Sequence, residues 1–147
     1  MAKGGLVVRV RIDGLRETIK AFAHLPKDAT VELRAASLAI AEALAETVRT
    51  AAEGDSGQSA LMAPTIRAMR DRVPAIAAGG ARRVGSNKVP AFKVLFGSEF
   101  GSHSLKQYRP FNPTGYWFFS TVQANEDEIG ARWLAGADEI VRKWAVD

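Results

Sequence analysis

Few side chains in this 147-residue chain stand where chemistry would need them. The string Gly54-Asp55-Ser56-Gly57 is the one found around the nucleophile of chymotrypsin-like proteases. Such a serine needs a histidine and an aspartate arranged around it, so a triad is recognised by geometry and roles. Here the string follows a long alanine-rich helical pattern and reads as a polar linker. The two histidines, His24 and His103, belong to no cluster of ligands, and metal sites draw on three or four. There is no cysteine, which removes disulfides, thiolate metal sites and a cysteine nucleophile. Gly79-Gly80 lacks the following helix of a phosphate-binding glycine loop. Glu99 lies in an aromatic setting, but glycosidase chemistry needs two facing carboxylates and no second one is near in sequence. The expectation is a protein that is not an enzyme, with no catalytic, metal or cofactor site.

Binding chemistry is better represented. The formal net charge is +4 and the sequence pI about 9.7. The excess is local: residues 67–93 carry seven basic side chains against Asp71 alone. Arg67, Arg70, Arg72, Arg82, Arg83 and Lys88 are the candidates for a stripe facing DNA or an acidic partner. The competing reading is a solvated strand face and loop. The second concentration is aromatic. Residues 92–119 hold six of the seven Phe, both Tyr and one Trp. Aromatic side chains dominate cores and interfaces alike. Two glycines flank Ser98-Glu99-Phe100, which reads as a strand end turning sharply into a loop. The loop 102–114 then offers Tyr108, Arg109 and Phe111, residue types enriched at interface hot spots. Glu99, Phe100, Tyr108, Arg109 and Phe111 are therefore the candidate contacts to a neighbouring subunit. The alternative is a structural turn with Phe100 in the core.

The elements that must position these groups follow from periodicity. Residues 6–13 alternate as a half-buried strand, and Asp13 is expected to cap a short helix bearing Leu15, Ile19 and Phe22. Residues 26–53 form the longest helix, with Leu33, Ala36, Ile40 and Leu44 on a wide apolar arc. Residues 65–72, 73–78 and 89–96 read as antiparallel strands, with a basic loop at 81–88. Residues 116–122 read as a short apolar strand or packed segment. Asn125 and Glu128 stand at capping-box spacing and open a last helix carrying Ile129, Trp133, Ala137 and Ile140. Gly130 and Gly136 in that helix point to close packing against another backbone. Val94, Phe96, Trp117 and Phe118 are the expected core beneath the helices. The prediction is a single α+β domain over 1–147: a small antiparallel sheet packed by one long central helix, a short N-terminal helix and a C-terminal helix. The longest weakly charged stretch, 35–45, is too short to span a membrane. The N-terminal segment is too regularly charged for a signal peptide, so synthesis in the cytoplasm is expected.

The order of motifs resembles the gene-ten-like tail-component family of HK-type lambdoid phages, also called tail-completion, neck or head–tail connector proteins. The resemblance begins at Val10-Arg11-Ile12-Asp13-Gly14-Leu15 and passes through Leu25-Pro26 ahead of an alanine-rich helix. It continues at Ser56-Gly57 with Leu61 and Ile66, and is strongest at Phe96-Gly97-Ser98-Glu99-Phe100-Gly101. Gly115-Tyr116-Trp117-Phe118-Phe119 and the Trp-bearing last helix are similar to versions from actinobacterial phages and prophages. A proline that usually follows the last glycine turn is here spread over Pro110 and Pro113. The resemblance implies a structural virion protein without catalytic residues or cofactors, made in the host cytoplasm and resident at the head–tail junction. It implies a homo-oligomeric ring that meets connector, tail-terminator or tail-tube proteins. DNA would pass through the lumen without sequence-specific binding, and no membrane is involved.

Overall fold

The computed structural model describes residues 5–145; residues 1–4, where the N-terminal segment begins, and 146–147 lie outside the described residues. The chain runs β1 (Gly5–Arg9), α1 (Leu15–Ala23), α2 (Lys27–Asp55), α3 (Gly57–Ala60) and a 3-10 turn at Ala63–Thr65. It continues through β2 (Arg67–Met69), β3 (Ala75–Gly79), β4 (Arg83–Val84), β5 (Val89–Pro90), α4 (Ala91–Phe100) and α5 (Phe118–Trp144). The architecture is α+β, as the sequence predicts.

α2 is 29 residues long, a rod of about 43 Å. Its alanines carry high helix propensity and almost no side-chain entropy to lose. Ala29, Leu33, Ser37, Ile40, Ala41, Leu44, Ala45, Val48 and Ala52 turn inward, while Glu42, Glu46 and Glu53 stay in water. The buried arc takes in Leu33, Ile40 and Leu44 of the predicted one, while Ala36 is half-buried at its edge. α5, 27 residues long, lies along α2 and contributes Val122, Ile129, Trp133, Ala137 and Ile140 to the same core. Burying a side chain of Leu, Ile or Val size stabilises by roughly 1.5–3 kcal/mol, so Leu33, Ile40 and Leu44 of α2 with Ile129 and Ile140 of α5 make this helix pair a large contributor to the core.

The sheet has the order β1-β3-β2 and is antiparallel throughout, with Val7 opposite Ala77 and Ala68 opposite Ile76. All five residues of β3 are buried, so both of its faces are covered. That explains a central strand made of Ala and Gly around one Ile. Leu95 of α4 stands so close to Gly79 that a Cβ there would sit 3.1 Å from its Cδ2. Pro74 falls just before β3, where its missing N–H interrupts no ladder bond, and its carbonyl accepts from Val10 N–H at 2.9 Å. One buried polar knot ties the layers. Trp133 Nε1 donates to Ser37 Oγ at 3.0 Å and to the Arg72 carbonyl at 2.9 Å, and Ser37 Oγ donates to that carbonyl at 2.7 Å.

Several elements differ from expectation. The predicted strand 89–96 survives only as the two residues of β5; from Ala91 the backbone is helical. α5 starts at Phe118, seven residues before Asn125, whose side chain instead donates to the Thr121 carbonyl within the helix. The linker 54–64 is largely ordered as the end of α2, α3 and the 3-10 turn. Asp13 does not cap α1; Gly14, at φ 84°, is the capping position and no side chain accepts from the first N–H groups of the helix. Phe96, expected in the core, is 42% exposed. A Cβ at Gly130 would meet only Ile12 Cγ2 at 4.0 Å, and one at Gly136 would meet nothing within 4 Å. Neither glycine is required by a close backbone.

Candidate functional site

The candidate contact residues converge where α4 ends, the 102–114 loop leaves, and α5 begins. α4 forms because Ala91, Val94, Leu95, Ser98 and Glu99 recur at helical spacing on one buried face, with Pro90 preceding the first turn. Its last two buried residues are polar, and both receive the start of α5. The Glu99 carboxylate is 1% exposed. Oε1 accepts from the N–H groups of Tyr116, Trp117 and Phe118 at 3.0, 2.8 and 2.9 Å, and Oε2 accepts from Phe119 N–H at 2.9 Å. The Glu99 carbonyl also accepts from Tyr116 N–H at 2.7 Å. Beside it, Ser98 Oγ accepts from Trp117 Nε1 at 3.1 Å. The first N–H groups of a helix lack partners within it and form its positive pole, so a carboxylate there is doubly matched. No side chain of α5's own first turn performs this task. Gly115, at φ 85°, makes room: a Cβ would lie 2.5 Å from Glu99 Oε2.

This corrects the expected role of Glu99. It does not face a neighbouring subunit, because its carboxylate is buried and bonded inside the protomer. Arg109 is likewise engaged internally. Its guanidinium spans the Asp55 carboxylate at 3.2 and 2.5 Å, lies 3.8 Å from the centre of the Tyr116 ring, and reaches the Ser98 carbonyl at 3.4 Å. Tyr108 covers Gly97, where any Cβ would collide with its ring. Burial of Tyr108 holds its hydroxyl above the ordinary pKa of 10.0. Tyr108 and Arg109 thus fasten the loop to the body rather than project from it.

What remains outward is aromatic. Phe96 stacks on Phe100 at 6.4 Å between ring centres with planes 9° apart, and Phe100 meets Phe119 at 6.0 Å. Phe100 is half-buried between them. Phe111 is 48% exposed and stacks on His103 at 4.5 Å, while Leu105, at the loop tip, is also exposed. The backbone brings Phe111's neighbour to α4, since Asn112 N–H donates to the Phe100 carbonyl at 2.7 Å. The result is an aromatic ridge around the C-terminal end of α4.

Arg67, Arg70, Arg72, Arg82, Arg83 and Lys88 are all exposed, as a basic stripe requires. Asp71, the acid among them, is taken by Arg9 at 2.7 Å. Partial burial opposes its ionisation, but bonds from Arg9 and the Arg72 N–H, with the charges of Arg9 and Arg34, hold it below the usual aspartate range. The protease-like string is structural: Ser56 Oγ accepts from Ser59 N–H at 3.1 Å as a helix cap, and Asp55 holds Arg109. Among the described residues, no group of three His, Asp or Glu is placed to hold a metal ion. None of the helices described is long and apolar enough to cross a membrane.

Sequence reasoning missed the Glu99 cap because its partners lie 17 to 20 residues away. The available signal was the helical recurrence 91, 94, 95, 98, 99, which placed Glu99 on an apolar face. No family model, characterised protein or solved structure matches the chain.

Proposed function

We propose that the chain is a structural subunit of a long-tailed bacteriophage or prophage particle, assembling as a ring at the head–tail junction as a tail-completion, neck or connector component. The observation that carries this reading is the aromatic ridge, with Phe96 and Phe111 42% and 48% exposed on a base fixed by the Glu99 cap. Large apolar groups clustered in water mark surfaces that another protein covers. The motif order, and above all the string from Phe96 to Gly101, supplies the kind of assembly. On this reading the partners are further copies of the chain and connector, tail-terminator or tail-tube proteins. The protein is carried in the virion, DNA passes the ring without sequence-specific contact, and neither catalysis nor a cofactor is needed.

Native mass measurement of the purified chain, alone and mixed with connector and tail-tube proteins of the same particle, tests the reading. Wild type is expected to enter a ring-sized species, and the double variant Phe96→Ser, Phe111→Ser to remain monomeric. Both exposed sites should tolerate the change, shifting folding stability by no more than about 1 kcal/mol. A wild-type chain that stays monomeric in every mixture refutes the proposal.

A further inference from the structure

Away from the aromatic ridge, the end of β3 and the start of β2 enclose a cleft of about 230 Å³ whose lining includes Thr65, Arg67, Gly79, Gly80 and Arg82. Two guanidinium groups are pinned in it. Arg67 Nη1 donates to the Thr65 carbonyl at 3.0 Å, and Arg82 Nη1 donates to the carbonyl of the adjacent residue, Pro64, at 3.1 Å. Bonds to neighbouring peptide carbonyls therefore hold two like charges in one small space. Each keeps further N–H donors, since a guanidinium has five. Among the described residues neither arginine has a carboxylate partner: the ion pairs use Arg9, Arg49, Arg109, Arg142 and Lys143. Glu53 lines the neighbouring depression, which shares only Pro64 with this one. The glycine pair, with φ of 77° and 109°, leaves one wall without side chains.

Two uncompensated guanidiniums lining one cleft repel one another unless an anion joins them, and their fork geometry matches phosphate oxygens. We propose that this cleft binds a phosphate of a nucleic-acid backbone. The backbone of a polymer is favoured over a free phosphate because further exposed cations, Arg83 and Lys88, follow the cleft closely in sequence, and Asp71 is neutralised by Arg9. A single phosphate would use the cleft alone, whereas a strand with regularly spaced charge uses the run. The contacts are to phosphates only, so binding carries no sequence preference. This inference goes beyond the assembly reading and stands on different residues, so either can fail while the other holds.

The test is binding of a labelled duplex oligonucleotide of mixed sequence to the full chain across a salt series. Wild-type affinity should fall steeply with salt. In Arg67→Gln, Arg82→Gln the log–log slope should be shallower by about 0.9, the share of the one phosphate that the pair holds. Arg67→Lys, Arg82→Lys keeps the charge and should retain the slope while losing affinity through the missing fork. Arg16→Gln, Lys20→Gln, on the exposed side of α1, removes equal charge and should leave the slope nearly unchanged. Equal losses in the two Gln variants would show diffuse attraction and overturn the site. A salt-independent wild type overturns it as well. Displacement of no DNA, combined with Arg67- and Arg82-dependent binding of inorganic phosphate, would overturn the nucleic-acid assignment in favour of a free anion.

Discussion

Glu99 is the residue on which the candidate functional region depends. It serves four backbone donors from inside the protein, so replacing it leaves several buried N–H groups without acceptors. Each unsatisfied buried group costs about 1–3 kcal/mol. Glu99→Gln is the informative change, because it preserves size while placing an NH2 group against one set of donors. We expect it to lower folding stability by about 3 kcal/mol in urea titration, with Glu99→Ala at least as damaging. A loss below about 0.5 kcal/mol would mean that the cap contributes little beyond packing. The same residue shows how a sequence can be right about importance and wrong about role. Its aromatic neighbours and flanking glycines mark it out, yet those features suit a contact residue and a buried acceptor equally. The identity of its partners, four main-chain groups beyond a loop, has no signature in side-chain type.

At the scale of elements, the long helices and the sheet were legible because they repeat their signal over many residues. α2 offers nine buried positions at helical spacing, and β1 alternates against a β3 made of small residues. The misread element was α4. The stretch leading into it, Val89-Pro90-Ala91-Phe92, resembles a strand, and Gly97 resembles a turn. Only the polar Ser98 and Glu99 complete its helical face, and polar residues do not normally vote for burial. The start of α5 was misplaced for a related reason: Asn125 and Glu128 form a local cap pattern, but the operative cap is tertiary. α5 also contains a residue that its surroundings do not require. A Cβ at Gly136 would meet nothing within 4 Å, and the backbone there is helical. Gly136→Ala should therefore raise stability by about 0.5–1 kcal/mol, seen as a higher urea midpoint with unchanged slope. Destabilisation would show that this part of α5 is more crowded than the helix packing indicates.

Across the whole molecule, the two proposed interaction surfaces belong to different parts of one frame. The aromatic ridge rides on α4 and the loop that follows; the basic cleft sits where the 3-10 turn, β2 and β3 meet. The Ser37–Arg72–Trp133 knot joins α2, α5 and the β2–β3 connection, so both surfaces are fixed to one core. The overall α+β plan was visible in the sequence, whereas the meeting of α4 with α5 needed three-dimensional information. That meeting also bears on the order in which the chain folds. Helix growth starts where local signals favour it, and in α5 these lie at Asn125 and the acidic residues after it. The turn from Phe118 has no cap of its own until α4 arrives with Glu99. The helix should thus nucleate in its distal part and extend backwards last, as the docking of α4 closes the loop between them. In pulse-labelled hydrogen exchange during refolding, amides at 129–141 should gain protection before those at 116–119. Simultaneous protection would mean that the two helices condense in a single step, with the carboxylate present from the outset.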